Sequence, residues 1–145
     1  MEGIFWVVLI GILGGFAVGL QGPLASIIAT RLGIMESVFI VHLGGAIFSL
    51  IFIFFKDNSN LGLIKTVPWY ALCAGIFGLV VLGGLSYMIP RIGVSSAVVT
   101  IVAGQIILGL ILDHYGLLEV NVRPITIKRL AGIIVMFGGV WMAIK

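Results

Sequence analysis

Residues 5–32, FWVVLIGILGGFAVGLQGPLASIIATRL, carry no charged side chain before Arg31. A surface helix of a soluble protein sets a polar face opposite its apolar stripe. From Phe5 to Leu20 there is no such face. Gly11, Gly15 and Gly19 recur four apart, with Gly14 beside them. That spacing places the three on one helix face. Small residues there let a second backbone come close, which is how helices associate in lipid. Gln21-Gly22-Pro23 then interrupts the run with an amide and a helix breaker. The stretch predicts a membrane helix built for tight packing, with a break suited to lining a cavity.

Composition extends this to the whole chain. Of 145 residues 61% are hydrophobic and 9% charged, against about 25% charged in soluble domains. Mean hydropathy is +1.33. The expectation is an all-α integral membrane protein with one transmembrane domain, residues 1–145. The 21 glycines are about twice the usual share and sit inside apolar segments, as in membrane helices. The net charge of +3 is spread over loops. It reads as topology signals and lipid-headgroup anchors, and excludes a nucleic-acid footprint. Cys73 is the lone cysteine and forms no intramolecular disulfide. Glu2 stands where a signal peptide would carry positive charge, so the first run reads as a retained helix. The short loops leave no room for an extramembrane catalytic domain.

A membrane helix needs roughly 20 apolar residues. Five spans are expected, at about 4–30, 35–55, 68–89, 94–112 and 127–144, or four if the fifth, with only fifteen strongly apolar residues, merely dips in. The first would be about 40 Å long and must tilt, kink at Pro23 or end in the interface. The second has Glu36 in its first turn and Ser37 as a weaker cap candidate. It contains His42 well inside and has Gly44-Gly45 for close packing. Lys56 to Asn60 is a polar loop. Pro68 opens the third segment, with Trp69-Tyr70 as an interfacial pair and small-residue zones at Gly75, Gly78, Gly83 and Gly84. The fourth contains Thr100, Gly104 and Gln105 and runs out at Asp113-His114. The fifth is the shortest, with a terminal Lys145 placed to snorkel. Continuous runs without period-2 alternation exclude a β-barrel. No internal repeat stands out at this length.

Five spans put the termini on opposite sides. Lys56, Lys65, Arg123, Lys128 and Arg129 then face Arg31, Arg91 and Lys145 across the membrane. The bias places the N-terminus in the cytoplasm. So small a bias is also what a chain inserting in both orientations shows. Many transporters are two inverted halves around a midplane site, and a five-helix unit paired with an inverted copy reproduces that plan. A parallel oligomer of one orientation is the alternative.

Polar groups in hydrocarbon are costly unless they face protein or water. Gln21 satisfies backbone near the break, where Pro23 frees the carbonyl of Gly19, or contacts substrate. Gln105, deep in the fourth segment, makes an interhelical hydrogen bond or lines a cavity. Thr100 is about 140° round the helix from it. Ser86 and Tyr87 are further lining candidates, with an interfacial anchor as the ordinary reading of Tyr87. His42 is either a satisfied interhelical histidine or a proton-coupling group, because histidine titrates in the physiological range. Glu36 is a first-turn carboxylate or a cation or proton site. Asp113-His114 forms a structural lock with Arg123 or Arg129, or a gate. No spacing suits zinc or haem, and there is no Walker motif or serine elbow. The chain is expected to have no cofactor, no metal and no enzymatic activity.

Four stretches together resemble a family of small bacterial inner-membrane exporters in the drug/metabolite transporter superfamily. They are LQGPLAS, VHLGGAIFSL, VVTIVAGQIILGLILDHYGLL over 98–118 and RPITIKRLAGIIVMFGGVWMAI over 123–144. The block Gly104-Gln105 with Asp113-His114-Tyr115-Gly116 is the most specific part. The resemblance spans essentially the whole chain. It implies a five-helix unit in the bacterial inner membrane, equal to one half of the ten-helix members with inverted repeats. It further implies a homodimer, or pairing with a related five-helix chain, and export of a small metabolite or toxic compound. Gln21, Gly22, Pro23, His42, Gly104, Gln105, Asp113 and His114 are the positions that carry it. One departure matters: the four-helix multidrug exporters of this superfamily use a first-helix glutamate for proton and cation, and no carboxylate lies within this first apolar run.

The leading expectation is therefore a secondary exporter of a small neutral, amphipathic or singly charged solute. Its cavity would be lined by the first and fourth segments, and membrane lipids would surround it. An accessory membrane subunit that transports nothing is the alternative. A passive channel is disfavoured, because no acidic ring or repeated polar stripe appears.

Overall fold

The computed structural model describes residues 2–56 and 59–144. Asp57 and Asn58 of the polar loop, and the Lys145 anchor, lie outside the described residues. Among the described residues every regular element is helical. α1 spans Glu2–Leu32 and α2 spans Ile34–Phe54. A 3₁₀ turn, Asn60–Thr66, comes next, entered where the Ser59 hydroxyl accepts from Leu61 N at 3.4 Å. α3 is one turn, Trp69–Leu72, and α4 is Gly75–Ile92. α5 runs Val94–Tyr115 and α6 runs Ile127–Ile144.

Four stretches are long and apolar enough to cross a membrane: Gly3–Leu32, Ile34–Phe54, Trp69–Ile92 and Val94–Tyr115. Their mean hydropathies lie between 2.1 and 2.3. α6 has 18 residues but opens with Lys128 and Arg129. Its apolar part after Arg129 covers only about 22 Å, short of a hydrocarbon core of about 30 Å.

Three element boundaries differ from the sequence reading. α1 continues through Pro23 to Leu32. A helix bonds most of its own backbone, and in lipid an interruption costs more than a single missing N–H. The third span is not continuous. Cys73 N and Ala74 N donate to the carbonyls of Tyr70 and Ala71, and Ile76 N and Phe77 N to those of Cys73 and Ala74, at 3.0–3.2 Å. These three-residue closures tighten the chain locally and separate α3 from α4. The fourth span extends to Tyr115, where Gly116 at φ 63° supplies the left-handed cap.

The chain divides into two compact units, Met1–Tyr87 and Met88–Lys145, with the boundary inside α4. In the first unit α1 packs on α2. Ala25, Val38 and Leu82 form its buried core, with Ile34 and Val41 against them. Ala25 is small, so α1 and α2 approach closely there, and the Ser37 hydroxyl donates to the Ala25 carbonyl at 2.6 Å across the interface. In the second unit α5 packs on α6. Large apolar side chains point outward in both: Phe16, Phe39, Phe52 and Trp141 are among those exposed. That is the expected surface of a chain whose solvent is lipid or another membrane helix.

The α1–α2 and α4–α5 turns match at an offset of sixty residues. Arg31-Leu32-Gly33-Ile34 corresponds to Arg91-Ile92-Gly93-Val94. Gly33 and Gly93 have φ of 116° and 81°, where a side chain would be strained. Each donates to the carbonyl four residues back, Ala29 or Ile89, at 3.0 Å. Each carbonyl accepts from the residue four ahead, Ser37 or Ala97, at 3.1 and 3.2 Å. The same offset pairs the buried residues Ala25 with Leu85, Ser26 with Ser86, and Ser37 with Ala97. A repeated glycine turn is thus present that the sequence reading did not recognise.

Candidate functional site

The polar side chains inside the apolar helices fall into distinct surroundings. In the first unit His42 is half-buried on α2, with Nδ1 2.8 Å from the Val38 carbonyl. Since a carbonyl only accepts, Nδ1 carries the hydrogen and the neutral ring keeps its lone pair on Nε2. Ser37, fully buried, spends its hydroxyl on Ala25. Ser86 is 3% exposed and its hydroxyl has no hydrogen-bond partner among the described residues. A buried hydroxyl left unpaired costs about 1–3 kcal/mol.

Glu36 sits in the first turn of α2, with its carboxylate folded back over Gly33. There it complements the helix dipole. It also borders an open groove with Leu32, Met35, Phe39 and Ile40. Gln21 is exposed and Pro23 half-buried. The hydrogen bonds of the described residues do not include the Gln21 amide. Tyr87 is 52% exposed.

In the second unit Thr100 donates back to the Ser96 carbonyl at 2.7 Å and so spends its hydroxyl within its own helix. Gln105 is exposed, and its amide likewise takes no part in those hydrogen bonds. Asp113 and Arg129 form an ion pair at 2.7 Å, with side chains 27% and 36% exposed. The other arm of Arg129 donates to the Arg123 carbonyl at 3.2 Å, and Arg123 N donates to the Asp113 carbonyl at 2.7 Å. Ile125 N approaches His114 Nδ1 at 3.4 Å. The loop before α6 is therefore laced to the end of α5. The ion pair closes one end of an apolar groove of about 380 Å³ between these helices, lined by Ile106, Gly109, Leu110, Gly132, Ile133 and Met136.

The glycine faces are open. At Gly11, Gly15, Gly19, Gly44, Gly45 and Gly104 an added Cβ would have nothing within 4 Å among the described residues. Among those residues no cluster of three His, Cys, Asp or Glu side chains is placed to hold a metal. Sequence reasoning named Ser37 only as a weak cap and Gly78 only as a packing residue. The one signal for Ser37 was a hydroxyl at the start of a run that otherwise needs none.

Fold and surface define a multi-pass helical protein of the membrane, with neutral polar groups inside apolar helices. The family described as "Putative inner membrane exporter, YdcZ", of the DMT type, matches residues 6–142. The chain belongs to this family, and with it to the multi-pass proteins of the inner membrane. No curated protein and no solved structure matches it.

Proposed function

We propose that two copies of the chain form a secondary exporter that moves a small neutral, amphipathic or singly charged solute by alternating access. The family match over residues 6–142 carries this reading. The polar groups within the spans support the solute class. Away from the end turns they include the Ser86 hydroxyl, the Gln21 and Gln105 amides and the His42 imidazole. Such groups hydrogen-bond a neutral or amphipathic solute, and none of them is a carboxylate that would offset the burial of a multiply charged cation.

The dimer is supported by what one copy leaves open. Gly11, Gly15 and Gly19 of α1 and Gly104 of α5 have free space beside them. The Gln21 and Gln105 amides face outward, and an amide in hydrocarbon gains from a partner on a second copy or from solute. In this reading α6 is the fifth span, helped by tilting neighbours and a locally thinned bilayer. The chain is then one half of a ten-helix transporter, and the near-balanced basic residues suit two copies inserted in opposite orientations.

The test uses purified protein in proteoliposomes under an imposed proton gradient, with lipophilic amines, neutral amides and weak acids as solutes. At least one class is expected to accumulate. The same class should raise the thermal stability of the wild type but not of Gln105→Leu. Neither flux nor stabilisation across the panel leaves an accessory subunit in place of a transporter. Orientation is read separately. Reporter cysteines at the C-terminus and in the 56–60 loop, in a Cys73→Ala background, should each label from both membrane faces. Labelling from one face only removes the antiparallel pair.

A further inference from the structure

The imidazole of His42 is held from two sides. Nδ1 is committed to the Val38 carbonyl at 2.8 Å, which leaves the Nε2 lone pair as the ring's proton acceptor. Nε2 lies against α4 at Gly78. A Cβ placed there would stand 2.5 Å from Nε2, 3.4 Å from Cε1 and 3.6 Å from Cδ2. The edge of the ring thus occupies the space that any side chain at 78 would need. Both residues belong to the unit Met1–Tyr87.

We propose that Gly78 is the positioning residue of a proton site at Nε2 of His42, and that this pair is the coupling site of the exporter described above. A proton from water adds to the Nε2 lone pair and forms an N–H bond. It leaves to water when that bond breaks, and the Nδ1–H to Val38 bond persists in both states. Gly78 offers Nε2–H no side-chain acceptor. The neutral ring therefore fits the notch, whereas the protonated ring favours a state in which α4 withdraws and Nε2–H reaches water or a carbonyl. A proton that binds two arrangements unequally shifts the balance between them.

Few other ionisable groups lie on the helices of this unit. α1 has Glu2 at its start and Arg31 in its last turn, and α2 has Glu36, six residues before His42. Lys65 lies on the 3₁₀ turn, Tyr70 and Cys73 precede Gly78, and Tyr87 comes nine residues after it at the end of the unit. His42 is thus the proton acceptor stationed at Gly78 itself.

Nitrogen NMR of the full chain in lipid nanodiscs, with ¹⁵N-histidine in a His114→Gln background, reads the site without any substrate. The wild-type residue at 78 is expected to give the Nδ1–H tautomer at high pH, with Nε2 taking up the proton as pH falls. Gly78→Ala should lose that single-tautomer signal, while Gly75→Ala, which has open space, should keep it. Thermal unfolding provides a second reading. Gly78→Ala should lower Tm when His42 is present and leave it unchanged in a His42→Ala background. An Nε2–H tautomer at position 78 glycine, identical spectra for Gly78→Ala, or equal Tm loss in both backgrounds overturns the site. The expected tautomer without proton-driven flux in proteoliposomes keeps the site and removes its coupling role.

Discussion

The α1–α2 turn and the α4–α5 turn use the same device and differ in the residues around them. Gly33 and Gly93 hold the same left-handed position, with the same pair of backbone bonds on either side. Ser37 and Ala97, four residues on, are both completely buried. The first is a hydroxyl that bonds across to Ala25, the second a methyl that needs no partner. The sixty-residue offset also sets Pro23 against Gly83, Glu36 against Ser96, His42 against Val102 and Gly45 against Gln105. The glycine turn and a buried position four residues after it are common to both. The polar differences are not part of that shared device, and each is costly in hydrocarbon. Where the two turns diverge is therefore where function is to be sought.

The largest effect expected falls on the shared turn and breaks its symmetry. Gly33→Ala and Gly93→Ala should each lose about 1–2 kcal/mol from a backbone that L side chains avoid. Gly33→Ala should lose more, because its methyl would run into the Glu36 carboxylate, whereas Gly93 has open space. Unfolding in detergent measures both. Equal losses would mean that the Glu36 carboxylate swings away at no cost. The next effect separates two buried serines by sign. Ser37→Ala, which makes the position after the first turn like Ala97 after the second, should destabilise by about 1 kcal/mol through the lost bond to Ala25. Ser86→Ala removes an unpaired hydroxyl and should be neutral or stabilising by about 1 kcal/mol. A loss at Ser86 would show that its hydroxyl has a partner in the membrane, on a second copy or in water.

Much of this architecture was readable from hydropathy, because each span is a continuous apolar run with glycine or charge at its ends. The start of α2 and of α5 was legible for the same reason. The break at Cys73-Ala74 was not, since YALCAG carries no proline or polar residue to mark it. Nor was the repeat: Ser26 and Ser86, Arg31 and Arg91, Gly33 and Gly93, Val38 and Val98, Gly44 and Gly104 are identical, but in so apolar a chain chance matches hide them. Of the candidate site, His42 was visible as an imidazole well inside a span, away from its ends. Gly78 was not, because membrane helices are rich in glycine and only the position of the ring sets this one apart from Gly75. The Asp113 ion pair was anticipated with either Arg123 or Arg129, and the choice depended on loop geometry that spacing does not encode.

The smallest effect lies in the chain beyond α2 and beyond α5. After α2 the chain enters a 3₁₀ turn, while after α5 it is laced back through Asp113 and Arg129. The pair is partly exposed, so its contribution is at most about 1 kcal/mol once solvent screening is included. Asp113→Asn keeps the shape and leaves Arg129 its bond to the Arg123 carbonyl. A stability loss under about 1 kcal/mol is expected, shrinking further in high salt as the Debye length falls. Unfolding at low and high ionic strength reads it directly. A loss well above that, insensitive to salt, would mean that water does not reach the pair. The end of α5 would then be a sealed end of the α5–α6 groove, and the α5–α6 pair would carry a charged lock that the α1–α2 pair does without.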